Sequence, residues 1–72
     1  MSKADKMFEE LGYKKQEDNY LIKYISKTKT LGEKFQFEIE FAKVAKMVGV
    51  HQLIPMQELQ AINEKCKELG WL

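Results

Sequence analysis

The sequence predicts a two-layer α+β domain, in which terminal helices pack on one face of a three- to four-stranded antiparallel sheet. Apolar residues recur at helical spacing near both ends, and an unbroken apolar–polar alternation fills the middle. Helices segregated from antiparallel strands are typical of this class. Because 72 residues are the length of one domain, we assign residues 1–72 to a single unit.

The first predicted helix begins after Ser2, which resembles a capping box with Asp5. Its apolar stripe consists of Ala4, Met7, Phe8 and Leu11.

Nearly the same five letters, EELGY at 9–13 and KELGW at 67–71, close both predicted helices. Glycine adopts the left-handed conformation of a helix stop at low cost, so we predict that Gly12 and Gly70 end the helices. The aromatic residue that follows would then cover the last turn, with Tyr13 over Phe8 and Trp71 over Cys66.

The middle of the chain predicts a meander of strands. Residues 17–19 form a hairpin turn before YLIKYIS, and KFQFEIEFA alternates without a break. Residues 42–53 fit either a short helix or a strand. We favour a turn near Ala42–Ala45 and a fourth strand over roughly Lys46–Leu53, where Gly49 indicates a bulge or a close backbone approach.

The last predicted helix starts at Pro55, because proline is well tolerated in a first turn. Its apolar stripe is Leu59, Ile62, Cys66 and Leu69, with Glu58 and Lys65 among the outward residues. The predicted core comprises Phe8, Leu11, Ile22, Phe35, Phe37, Ile39, Leu59, Ile62 and Leu69.

Catalysis and metal binding have little support in the sequence. His51 and Cys66 are the only strong soft-metal ligands, whereas a structural zinc site needs four. The apolar stripe predicts a buried Cys66, which opposes a Cys–His nucleophile pair. We therefore expect no enzyme activity, no catalytic or metal-binding residues and no cofactor. A lone cysteine and the lack of a bilayer-length apolar run predict a cytoplasmic protein without membrane contact.

A nucleic-acid surface is the alternative functional hypothesis. Basic and aromatic residues lie together in KYISKTKT and can stack bases and contact phosphates. The candidate residues are Tyr20, Lys23, Tyr24, Lys27 and Lys29. A formal charge of +1 and the absence of arginine weaken this hypothesis, and Tyr20, Ile22 and Tyr24 equally fit a core face.

Protein–protein interaction is the favoured hypothesis. The strand YLIKYIS carries large apolar residues on both faces, so one face must stay partly exposed or be covered by a helix or a second copy. A homodimer and strand addition at a sheet edge are both compatible with this pattern.

The terminal segments also carry a family likeness. ADKMFEELGY and MQELQAINEKCKELGWL resemble the ends of short, uncharacterised proteins encoded by phages and prophages of Gram-positive bacteria. The resemblance covers nearly half the chain, whereas an apolar AKVA replaces the family's usual polar turn. It implies a bacterial host cytoplasm and an accessory role in a phage life cycle. Together with the surplus apolar surface, it leads us to predict a non-enzymatic accessory protein that binds an unidentified protein, with a host factor among the candidates.

Overall fold

Two terminal helices enclose a meander of four strands in the computed structural model, which describes residues 2–28, 35–51 and 53–72. The helices are α1 (Lys3–Glu10) and α2 (Met56–Glu68). All strand pairs are antiparallel, in the order β1-β2-β3-β4. The predicted α+β class is confirmed, and the sheet has the fourth strand. The strands are β1 (Lys14–Glu17), β2 (Leu21–Thr28), β3 (Phe35–Ala42) and β4 (Met47–Val50).

A tight turn joins β3 to β4 and settles the ambiguity of this segment. Ala42 pairs with Met47, and Lys46 between them has a left-handed φ of 56° while its N–H donates to the Ala42 carbonyl at 2.9 Å. The strand ends at Val50 rather than near Leu53. Gly49 pairs with Glu40 in a continuous register, so the bulge, one of the two alternatives predicted for this glycine, is wrong.

The core lies between the helices and one face of the two central strands. Alternation directs Ile22 and Tyr24 of β2 towards the helices, and the Phe8 ring of α1 stacks on Tyr24 with centroids 3.9 Å apart. Residues from α2 join the same cluster, so both helices cover the same face. The buried apolar residues are Ala4, Phe8, Tyr13, Ile22, Tyr24, Ile39, Phe41, Ala61, Ile62 and Cys66.

Both helices end in the predicted glycine stop. Gly12 has φ 92° and Gly70 has φ 77°. The N–H of Tyr13 donates to the Phe8 carbonyl at 2.9 Å, the bond of a Schellman motif, and the two rings meet edge to face at 5.7 Å.

Trp71 makes the equivalent backbone bond to Cys66 at 2.8 Å. Its ring lies 6.2 Å from Phe41. The second stop therefore ties the end of α2 to the central strand β3.

The buried side of α2 is rotated relative to the prediction. Leu59 is 45% exposed, whereas Glu58 and Lys65 are buried, so their predicted positions are wrong. The rotation has a physical cause, because the Lys65 ammonium lies near the carboxylates of Asp5 in α1 and Glu68 in α2. Leu11, Phe37 and Leu69 are only partly buried, and the side chain of Phe35 lies outside the described residues.

Candidate interaction surface

A cluster of charged groups, centred on the partly buried Asp5, links the two layers. The Asp5 carboxylate accepts hydrogen bonds from the Tyr24 hydroxyl at 2.5 Å, Lys15 Nζ at 3.0 Å and Lys65 Nζ at 3.2 Å. These donors come from β2, β1 and α2. Burial raises the pKa of Asp5, but the hydrogen bonds outweigh burial and lower that pKa to about 2. The pKa of the donor, the Tyr24 hydroxyl, is raised above its usual range, first by burial and then by the hydrogen bond to the Asp5 carboxylate.

The end of α2 also caps the start of α1. Ser2 Oγ accepts the Asp5 N–H at 3.1 Å, which confirms half of the predicted capping box. The Asp5 side chain turns instead towards Tyr24 and the lysines. Glu68 Oε2 accepts the N–H of Ala4, another free donor of this helix end, at 2.8 Å. Glu68 lies also 3.5 Å from Lys65. These charged groups hold the helices in place, which is a structural role.

A cleft of about 400 Å³ lies between α1 and β1. The Asp5, Lys15 and Tyr24 groups that line it already bond to one another. The cleft thus presents aromatic walls and paired polar groups rather than a poised acid or base.

The predicted nucleic-acid surface is not assembled as expected. Tyr24 is 1% exposed with its hydroxyl on Asp5, so the prediction that it stacks on a base is wrong. Lys23 points to the opposite face of the sheet, where it lies 3.4 Å from Glu38 and 3.9 Å from Glu40. Tyr20 is exposed. Lys29 and the side chain of Lys27 lie outside the described residues.

His51 and Cys66 lie in different environments. His51 Nε2 is 3.5 Å from Glu40 Oε1 on the helix-free face of the sheet. Cys66, a residue of α2, is buried in the core, as predicted. Burial raises the pKa of the Cys66 thiol, which disfavours a reactive thiolate. Among the described residues, His, Cys, Asp and Glu form no group of three or more that could hold a metal ion.

The two edges of the sheet differ in chemistry. The β1 edge reads KKQE and is polar along its whole length. The β4 edge reads MVGV and carries no charge. Lysine and other charges on an edge strand discourage pairing with another chain, so β1 is protected in a way that β4 is not.

Most of the exposed apolar side chains continue from the unprotected edge. Nine large apolar side chains are exposed in the described part of the chain, and seven of them fall within residues 44–59. We call these seven the apolar strip. They are Val44, Met47, Val48, Val50, Leu53, Met56 and Leu59.

Strand register and helix geometry locate several members of the strip, and Met47, which pairs with Ala42, lies on the opposite face of the sheet from Val48 and Val50. Val48 pairs with Phe41 and Val50 with Ile39, so both valines lie on the helix-bearing face at its outer edge. Leu59 lies nine residues before Glu68. Nine residues are about two and a half helical turns, so the two side chains lie on opposite sides of α2. Glu68 contacts α1, and Leu59 therefore lies on the flank of α2 that is remote from α1.

The surplus apolar surface was predicted on β2, but Leu21 and Ile25 of that strand are half-buried. The sequence feature that locates the exposed apolar surface is the composition of the edge strands. β4 has four consecutive uncharged residues, MVGV, whereas β1 reads KKQE.

Comparison of the chain with family models, with curated proteins and with solved structures finds no match in any of the three. No helix within the described ranges combines the length and apolar character needed to cross a membrane.

Proposed function

We propose that this protein is a non-enzymatic accessory protein that binds another protein through the apolar strip. The observation that carries the proposal is the concentration of exposed apolar side chains in residues 44–59. A concentration of exposed apolar side chains on a small protein favours a partner site, because leaving apolar surface in water costs about 25 cal/mol per Å². The phage setting and a host protein as partner rest on the resemblance of the terminal segments.

The charge pattern supports an apolar interface over an electrostatic one. Between Val44 and Leu59 the charged or titratable side chains are Lys46, His51 and the buried Glu58. An interface with so few exposed charges gains its free energy from water release, so its affinity falls little as salt rises.

The test is capture of a protein partner from host lysate, using tagged wild type and two matched variants. Leu53→Glu with Met56→Glu adds two charges to the strip at positions that are 96% and 69% exposed. Leu72→Glu adds a charge at a 73% exposed apolar position outside it. We expect the wild type and Leu72→Glu to retain one defined protein after nuclease treatment and at moderate salt, and the double variant to lose it.

Equal capture by all three proteins would refute the strip as the binding surface. Recovery of nucleic acid alone, lost as salt rises, would instead support the alternative function, since phosphate contacts release counterions and weaken steeply with salt.

A further inference from the structure

We infer that a second copy of this chain covers the β4 edge, so that two sheets join through antiparallel β4–β4 pairing about a twofold axis. This inference rests on the proposed function in that both use the apolar strip. It goes further by naming the occupant of one part of the strip.

The asymmetry of the two edges favours a closed pair. If β4 paired with β1 of the next copy, the contact would be heterologous and would propagate into a ring or an open filament. The β1 edge carries Lys14, Lys15 and Glu17, which oppose such pairing. Pairing of β4 with itself uses up the one uncharged edge of the sheet formed by the described residues and ends the assembly at two copies.

The faces of the sheet restrict the register. A twofold axis perpendicular to the sheet keeps both helical layers on one side, so residues that face the same way must pair across the axis. A twofold axis at Gly49 meets this requirement. It pairs Val48 of each copy with Val50 of the other copy, which gives two valine pairs. The two valines lie on the helix-bearing face in each copy. Cross-strand pairs of β-branched residues are among the favourable contacts in sheets.

Repulsion between lysines does not oppose this register. The nearest exposed lysine is Lys46, three positions from the axis. The two Lys46 residues therefore lie six positions apart, or about 20 Å along the paired strands. Physiological salt screens charges over about 8 Å, so their repulsion is small.

The size of the chain points the same way. A 72-residue domain buries a small core and gains much from covering exposed apolar surface by oligomerisation. Leu53 and Met56 lie beyond the paired strand and stay available to a different protein.

Sedimentation analysis of the untagged protein over a wide concentration range tests the inference. We expect a species of twice the 8.5 kDa chain mass in the wild type. Val48→Lys, which places a charge on the β4 edge, should shift this species to the monomer. Gln16→Lys, which adds the same charge to the β1 edge, should leave it unchanged.

A wild type that stays monomeric up to its solubility limit would overturn the inference, whether or not Val48→Lys folds. Assemblies that grow beyond two copies would also overturn it, because they require a second adhesive edge. A monomer that still captures a host protein through Leu53 and Met56 would refute the dimer alone. A dimer that captures none would support the inference and refute the proposed function.

Discussion

At the scale of single residues, Asp5 is the group on which the contact between the layers most depends. Its carboxylate accepts from Lys15 of β1, Tyr24 of β2 and Lys65 of α2. Lys65 is 6% exposed and pairs also with Glu68, so its buried charge is compensated from both helices. Buried ion pairs do not always add net stability, but the loss of one partner is costly because a charge stays behind unpaired.

The depressed pKa of Asp5 predicts a stability that depends on pH in the acid range. Its pKa is about 2 in the native protein, against about 3.9 in an unfolded chain. Unfolding therefore takes up a proton between these values, and the contribution of Asp5, about 2–3 kcal/mol, is complete above pH ~5 and is lost as the pH falls through ~4 towards ~2.

We expect Asp5→Asn to unfold more easily than wild type at neutral pH and to show a flatter stability profile between pH ~2 and ~4. Chemical denaturation at a series of pH values measures both effects. Glu10→Gln removes an exposed carboxylate from the same helix and serves as the control. An unchanged acid profile in Asp5→Asn would contradict the role given to the cluster.

The sequence could not reveal this cluster, because it depends on contacts between distant residues. The letters of α1 identify Asp5 as a capping residue, which is only its local role. Lys65 is 60 positions away and lies in a stripe of charged residues that are otherwise solvated. For the same reason helical periodicity alone predicted Leu59 in the core and Lys65 outside it.

At the scale of elements, the helix stops explain the repeated ELG-aromatic pattern at the two ends. Each glycine takes a left-handed conformation, and the following N–H closes the same Schellman bond. The repetition is thus a shared solution to ending a helix. Because this signal is local, the sequence was sufficient to predict it.

Substitution of Gly12 and Gly70 by alanine distinguishes the cost of a left-handed backbone from the cost of a steric clash. In Gly70→Ala the new Cβ has no neighbour within 4 Å, and in Gly12→Ala the nearest atom, Ser26 Oγ, is at an ordinary 3.8 Å. We expect each to lose about 1 kcal/mol of unfolding free energy through the positive φ alone.

Gly49→Ala provides the control for this series. Its φ lies outside the left-handed region and its new Cβ would be 3.7 Å from Glu40 Oε2, an ordinary contact. Urea denaturation should therefore find Gly49→Ala close to wild type. A loss as large as that of Gly70→Ala would show that the cost does not come from left-handed strain.

The strands were predictable to the extent that their alternation was strict. β3 follows its apolar–polar pattern, and Ile39 and Phe41 are buried as that pattern requires. The β3–β4 turn was harder, because AKVAK offers no glycine at its left-handed position. Lys46 takes that conformation instead, supported by its bond to Ala42.

At the scale of the whole molecule, the proposed β4–β4 pairing depends on the difference between the charged β1 edge and the apolar β4 edge. Sequence analysis predicted surplus apolar surface and the compatibility of the chain with a second copy. That surplus was assigned to β2 because the strand order was unknown. MVGV leaves apolar side chains and an unpaired backbone edge exposed only because β4 lies at the edge of the sheet. The two central strands β2 and β3 are paired on both sides. Unpaired backbone groups are thus left on β1 and β4.

Amide hydrogen exchange along the two edge strands tests the central claim most directly. An edge strand that is paired on one side only has alternate N–H groups directed outward, and these exchange quickly. If a protein strand covers β4 in solution, the amides of residues 47–50 are all slow in concentrated protein, while alternate amides of residues 14–17 exchange quickly. Rapid exchange at alternate positions of both strands would contradict the account, because the β4 edge would then be as open as that of β1.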